Sequence, residues 1–196
     1  MTLQQFIKKY DYKGSVVLLE GKRDVNEKDT EKLISLGRLL AAKTKDILFR
    51  SGNAGGADYY FSQGVAEVNP KRLQSVIPYS NHRRKDNKAY STISLDDIDI
   101  VNEPNVIYQS KFNKKTESLI DKYITGNIDR YSIKSAYIIR DTVKVIGTKN
   151  IQSADFGIFY DDLNNPMSGG TGHTMNICKH NNIGFINQLV WFSWLE

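Results

Sequence analysis

Apolar positions along this chain follow two alternating rhythms. "SVVLLEG" (residues 15–21) is a continuous apolar run closed by a glycine, the pattern of a strand buried on both faces, and it predicts the central strand of a sheet. Residues 28–45 then set Leu33, Leu36, Leu40 and Ala41 at helical spacing, with acids early and Lys43 and Lys45 in the last turn. "DILFRSG" (46–52) predicts a second strand, and "RLQSVIPY" (72–79) a third. Between them Ala57, Tyr60, Phe61, Gly64, Val65 and Val68 repeat as the buried stripe of a helix does.

The rhythm breaks from Ser80 to about Asn113, where one strand is expected at "NVIYQ" (105–109). Connections this long in a compact domain more often serve function than not, and a lid is one reading of this one. Helical spacing returns at 114–124 and in "YSIKSAYIIRDTVKVIG" (131–147), where Ala136, Ile139, Val143 and Ile146 form a stripe that Ile133 and Tyr137 widen. "ADFGIFY" (154–160) predicts another strand, residues 171–181 a helix, and "IGFINQL" (183–189) the final strand. Strands alternating with helices imply a three-layer α/β fold with a mainly parallel sheet, here as a single domain over 1–196. Such sheets bind ligands beyond the carboxyl ends of their strands, at a switch in strand order.

Composition adds exclusions. With 40% hydrophobic and 11% aromatic residues the chain can bury a full core. Its apolar runs fall far short of the roughly 20 residues of a membrane span, and "MTLQQFIKKYDYKG" lacks the apolar stretch of a signal peptide, so no membrane partner and a cytoplasmic location are expected. Cys178 is the only cysteine, and His82, His173 and His180 show no ligand spacing, so neither a metal nor a cofactor is expected. The formal net charge of +5 lies entirely in residues 1–98, which hold 17 Lys and Arg against 12 Asp and Glu; residues 99–196 hold 10 of each. Part of the excess is "NHRRKDNK" (81–88), which suits a polyanion and equally suits a solvated loop.

Three segments at strand carboxyl ends have the chemistry of anion sites: "EGKRD" (20–24), "SGNAGGAD" (51–58) and "MSGGTGHT" (167–174). Glycine permits positive φ and bares the backbone, so successive N–H groups can converge on one oxyanion, and the helix that follows adds its unpaired N–H groups and positive dipole end. Two such loops on adjacent strands would make one phosphate or pyrophosphate cradle. The candidate ligand residues are Gly21, Lys22 and Arg23; Ser51, Gly52, Asn53, Ala54, Gly55 and Gly56; and Ser168, Gly169, Gly170, Thr171, Gly172, His173 and Thr174. The competing reading is that the glycines only make tight strand-to-helix turns. G-x-x-x-x-G-K-[ST], G-x-G-x-x-G in the first turn and G-x-S-x-G are all absent, which argues against a nucleoside-triphosphate loop, a dinucleotide fingerprint and a serine hydrolase.

Five residues have two readings each. Arg23 either forks onto a phosphate or pairs with Asp24 or Glu27. Asp58 either caps the helix it begins or accepts from a ribose hydroxyl. Arg140, set in an apolar stripe, either pairs with a sheet-end carboxylate or reaches the ligand. Tyr79, like Tyr160, either walls a base or belongs to the core. The terminal "VWFSWL" (190–195) packs on the body or on a second subunit.

"EGKRD", "RSGNAGGAD" and "GGTGHT", in this order, resemble the SLOG superfamily, which joins DNA-processing protein A to the lonely-guy phosphoribohydrolases. The likeness spans roughly 15–190 and is greatest to the stand-alone DNA-processing-protein-A-like proteins common in phage genomes. "YIIRDTVKVIG" (137–147) is similar to the helix that carries an Arg-Asn pair in those proteins. The resemblance implies a Rossmann-like sheet, homo-oligomers, and recognition of nucleotides, nucleotide-derived signals or single-stranded DNA. Lonely-guy enzymes carry G-G-x-G-T-x-x-E, whose glutamate takes part in cleaving the ribosyl bond; here His173 stands at the threonine and Asn176 at the glutamate position. Asparagine is no carboxylate acid or base. The expectation is therefore binding of a nucleotide-derived small molecule with no catalytic residue, which in a phage protein acting in the host cytoplasm would sequester a signal such as a cyclic nucleotide or an ADP-ribose derivative. A single-stranded-DNA-binding recombination mediator and a lonely-guy-like nucleoside-monophosphate hydrolase are the alternatives.

Overall fold

A computed structural model describes residues 1–114, 116–126 and 132–196. The elements run α1 (Leu3–Tyr10), β1 (Val16–Gly21), α2 (Glu27–Lys43), β2 (Leu48–Ser51), α3 (Ala57–Val68), β3 (Leu73–Ile77), β4 (Ser91–Ser94), α4 (Pro104–Ser110), α5 (Glu117–Ile124), α6 (Ser132–Ile146), β5 (Phe156–Tyr160), α7 (Gly169–His180), β6 (Gly184–Ile186) and α8 (Gln188–Trp191). Every strand pair is parallel, in the order β4-β3-β2-β1-β5-β6. The fold is the expected Rossmann-like three-layer arrangement, with β1 central.

The two-residue period of β1 divides the core. Val17 and Leu19 face Leu33, Leu36, Leu40, Phe61 and Val65 of α2 and α3, while Val16 and Leu18 face Val145 of α6 and Met175 and Ile177 of α7. A third apolar cluster joins Val76 of β3 to Val106, Ile120, Ile139 and Val143 of the helices α4, α5 and α6. The terminal aromatic segment packs on its own body: Trp191 Nε1 donates to Phe159 O, and the Trp194 ring lies 5.3 Å from that of Phe6.

Three local expectations are corrected. Residues 105–109 form a helix, not a strand: Pro104 supplies a preset first helical φ, and Val106, Gln109 and Ser110 are buried at helical spacing. The N-terminal helix α1 was not anticipated, although Thr2 and Gln5 form a reciprocal capping box ahead of Phe6 and Tyr10. Nor was β4, an edge strand of four small and polar residues except for Ile93. Residue 115, within the helix expected at 114–124, and residue 131, at the start of the next, lie outside the described residues.

Strand order fixes where a ligand would meet the backbone. From β1 the chain moves outward through β2, β3 and β4 on one side, then crosses to β5 and β6 on the other. The two glycine loops follow β2 and β5, so they are not on adjacent strands as expected; they flank the carboxyl end of β1, at the switch point.

Candidate ligand-binding site

A cavity of about 570 Å³ opens at that switch point. Eleven of the expected residues line it: Gly21, Lys22, Arg23, Ala54, Asp58, Arg140, Ser168, Gly169, Gly170, Thr171 and His173. Ser51, Gly52, Asn53, Gly55, Gly56, Tyr79, Gly172 and Thr174 stand outside the lining. Of the long segment 80–113, only Asn113 reaches it.

The first glycine loop already holds an anion, and that anion is its own. Asp58, buried in the first turn of α3, accepts through Oδ1 from Gly21 N–H (3.1 Å) and through Oδ2 from the N–H groups of Gly52 (3.1 Å) and Ala54 (3.4 Å). One carboxylate thus ties the end of β1 to the end of β2. The glycines here also permit close packing: a Cβ on Gly52 would strike the Arg140 guanidinium, and Gly56, at φ +73°, has no room for one against the Arg23 backbone.

The second loop is open. Met167 and Gly169 take positive φ (56° and 62°), turning the chain into α7, and the N-cap Ser168 makes no side-chain capping bond. The first-turn amides of this 12-residue helix therefore present donors and a positive dipole end beside the cavity. Gly169 has open space around it, whereas Gly172 is needed because a Cβ there would overlap the Met167 backbone.

Beneath the loops lies a buried ionic floor that sequence reasoning half found. Lys144 Nζ lies 2.6 Å from Glu20 Oε1 and 2.8 Å from Asp141 Oδ1. Arg140 Nε is 2.9 Å from Asp141 Oδ1, off the N–H axis so that the contact is an ion pair and not a hydrogen bond, while its Nη1 donates to Gly52 O. Burial pushes the Glu20 carboxyl up to about 7, against the pull of Lys144. For Asp141 burial acts the same way, but Arg140 and Lys144 outweigh it and hold the group below the usual carboxylate range. Burial opposes the Arg140 charge, and Asp141, Asp58 and Glu20 more than restore it.

His173 sits with Nε2 3.1 Å from Thr142 Oγ1, and burial lowers its pKa, favouring the uncharged ring. Asn176, one turn on, is exposed and outside the cavity lining. Tyr137 forms an aromatic wall: the guanidinium carbons of Arg23 and Arg140 each lie 5.5 Å from its ring centroid, and His82 packs edge-on at 5.5 Å. Tyr79 packs edge-on against His82 at 5.0 Å and hydrogen-bonds the Tyr137 side chain, so it adjoins the wall directly although it does not line the cavity. Arg23 is exposed and makes no ion pair among the described residues; Lys22 lies 3.8 Å from Asp162.

The lining residues missed from sequence include Glu20, Tyr137, Asp141, Lys144, Asp161 and Asp162. Two signals pointed to them. Lys134, Tyr137, Ile138, Asp141 and Lys144 recur at three- and four-residue spacing on one face of α6, and "FYDD" places Asp161 and Asp162 directly past β5.

No family model and no curated protein matches the sequence. Among solved structures, the chain is similar to DNA processing protein A from Helicobacter pylori, a protein with a single-stranded DNA binding mode, at 14% identity and a TM-score of 0.47 over 89% of this chain and 65% of that one. It is also similar to DNA processing protein A from Streptococcus pneumoniae, at 12% identity and a TM-score of 0.47 over 92% of this chain and 51% of that one. The chain thus spans less than two thirds of either protein's length. A likeness this distant says nothing about ligand or activity.

Proposed function

We propose that the cavity binds a nucleotide-derived small molecule and releases it unchanged. The observation that carries this reading is the uncapped start of α7 in one wall with Lys22 and Arg23, where a phosphate would meet free amides, a dipole end and a guanidinium that has no carboxylate partner among the described residues. Binding without turnover is supported by Asn176, exposed and outside the cavity lining at the position of the lonely-guy glutamate, and by the engagement of Glu20 and Asp141 with Lys144, of Asp58 with three amides and of Asp162 with Lys22. In a phage-encoded protein, tight binding of this kind would remove a host signalling nucleotide such as a cyclic nucleotide or an ADP-ribose derivative. The test is to purify the protein from cells making candidate nucleotide signals, denature it, and identify what is released by mass spectrometry. An intact nucleotide is expected; a cleaved product, or free base after incubation with nucleoside monophosphates, would refute the reading.

A second reading, binding of single-stranded DNA, is favoured by the surface beside the first loop. There exposed Lys88 lies 5.5 Å from the Tyr59 ring centroid, Tyr90 is 71% exposed, and Arg83 reaches toward Gly55. Aromatic and basic side chains interleaved in this way suit stacked bases and phosphates. Oligonucleotide affinity that falls steeply with salt would support it, and no gel shift at low salt would remove it.

A further inference from the structure

Asp161 is a carboxylate of the cavity wall that has no ion-pair partner among the described residues. It follows β5, is 2% exposed, and lines the cavity. Its position is fixed on three sides. The Gln188 carboxamide of α8 grips its backbone, accepting from Asp161 N–H (2.9 Å) and donating to Asp161 O (2.7 Å). Oδ2 accepts from Met167 N–H at 3.0 Å. Oδ1 has no hydrogen-bond partner, and no ion pair to Asp161 exists among the described residues. Oδ1 is shut off from solvent as the carboxyl stands; a buried acceptor left unspent costs about 1–3 kcal/mol, so its retention in the wall of a cavity points to a donor that arrives with the ligand and meets it as the carboxyl turns.

The surroundings select the donor. Asp161 is bonded to the residue that leads into α7, so the positive end of that helix already offsets its charge. A ligand ammonium group would meet this dipole end as well as Lys22 and Lys144, whereas an uncharged hydroxyl meets no such opposition. Asp58, the other candidate for this task, has both oxygens occupied by backbone amides.

Building on the nucleotide reading above, we infer that Asp161 Oδ1 accepts a hydrogen bond from a ribose hydroxyl of the ligand, so that the site distinguishes ribonucleotides from nucleotides lacking free sugar hydroxyls. A DNA strand offers no such donor along its length, since its 3′ oxygens are esterified and its 2′ positions carry hydrogen.

The experiment is calorimetric titration with the four ribonucleoside 5′-monophosphates and their 2′,3′-dideoxy counterparts, on the wild-type protein and on Asp161→Asn. At least one ribonucleotide is expected to bind wild type about tenfold tighter than its dideoxy form, and the ratio should fall to about threefold in the variant, where the bond loses its charge. Equal binding of the two forms to wild type would overturn the inference and leave the nucleotide reading standing. Binding of none of them would overturn both. Full discrimination retained in Asp161→Asn would assign the hydroxyl contact to another group and overturn the inference, and equal binding of the two forms by wild type overturns it even if the variant does not fold.

Discussion

Lys144 Nζ lies 2.6 Å from Glu20 Oε1, with the two residues only 1% and 3% exposed. The pair joins the last turn of α6 to the end of β1 and sits with Asp141 in the cavity floor. Replacing Lys144 with Met would leave the buried Glu20 carboxyl without its cation and Asp141 with Arg140 alone, and loss of one partner from such a network costs about 3–5 kcal/mol. Urea unfolding should show this loss, and adding Glu20→Gln in the same chain should recover part of it.

The same carboxyl makes stability depend on pH in an unusual direction. Burial raises Glu20 from 4.5 to about 7, so between those values the folded protein keeps a proton that the unfolded chain has released, and stability falls as pH rises through that window. His82 acts oppositely: burial, then Arg140, Arg83 and Arg23, lower it from 6.5 to about 4, so its contribution is lost as pH falls through that range. The two effects overlap, and comparison with Glu20→Gln separates them. The unfolding free energy of wild type minus that of Glu20→Gln should decline from pH 4.5 to 7; a flat difference would contradict the raised value.

Two glycines with positive φ should differ sharply in what they tolerate. Gly56→Ala drives a Cβ into the Arg23 backbone and should cost about 3 kcal/mol or more. Gly169→Ala meets nothing within 4 Å, so only the backbone conformation resists it, at about 1–2 kcal/mol. Thermal denaturation of the two variants tests the contrast.

Arg23 and Lys85 separate the two readings of function. Arg23→Ala should weaken a bound nucleoside monophosphate at least about tenfold while changing stability by less than about 1 kcal/mol, because the side chain is exposed and loses only its contact with Tyr137. Lys85, exposed on the basic segment and outside the cavity lining, should matter only if a nucleic acid strand crosses that surface. Calorimetry with nucleotides and gel shifts with oligonucleotides on both variants distinguish these outcomes.

The sheet was legible because its central strands are apolar without interruption: Val16–Leu19 and the run closing at Tyr160 allow no helical alternative of adequate length. Residues 105–109 were not, since the β-branched pair Val106 and Ile107 reads as a strand until Pro104 is weighed as a helix start. The position of the cavity followed from the glycines and the strand rhythm, but the division of labour between the two loops did not. Asp58 collects amides from the ends of two strands that meet only in the folded sheet. Lys144 escaped notice because a helical lysine normally faces water, and its three- and four-residue spacing from Asp141 and Arg140 acquires meaning only beside Glu20.

The outermost strands of the sheet, β4 and β6, are four and three residues long. A second copy joining along either border would gain only a few main-chain bonds, too small a return for the freedom lost on association. Sheet extension is therefore a poor route to self-association of this chain, and the mouth of the cavity stays clear of it.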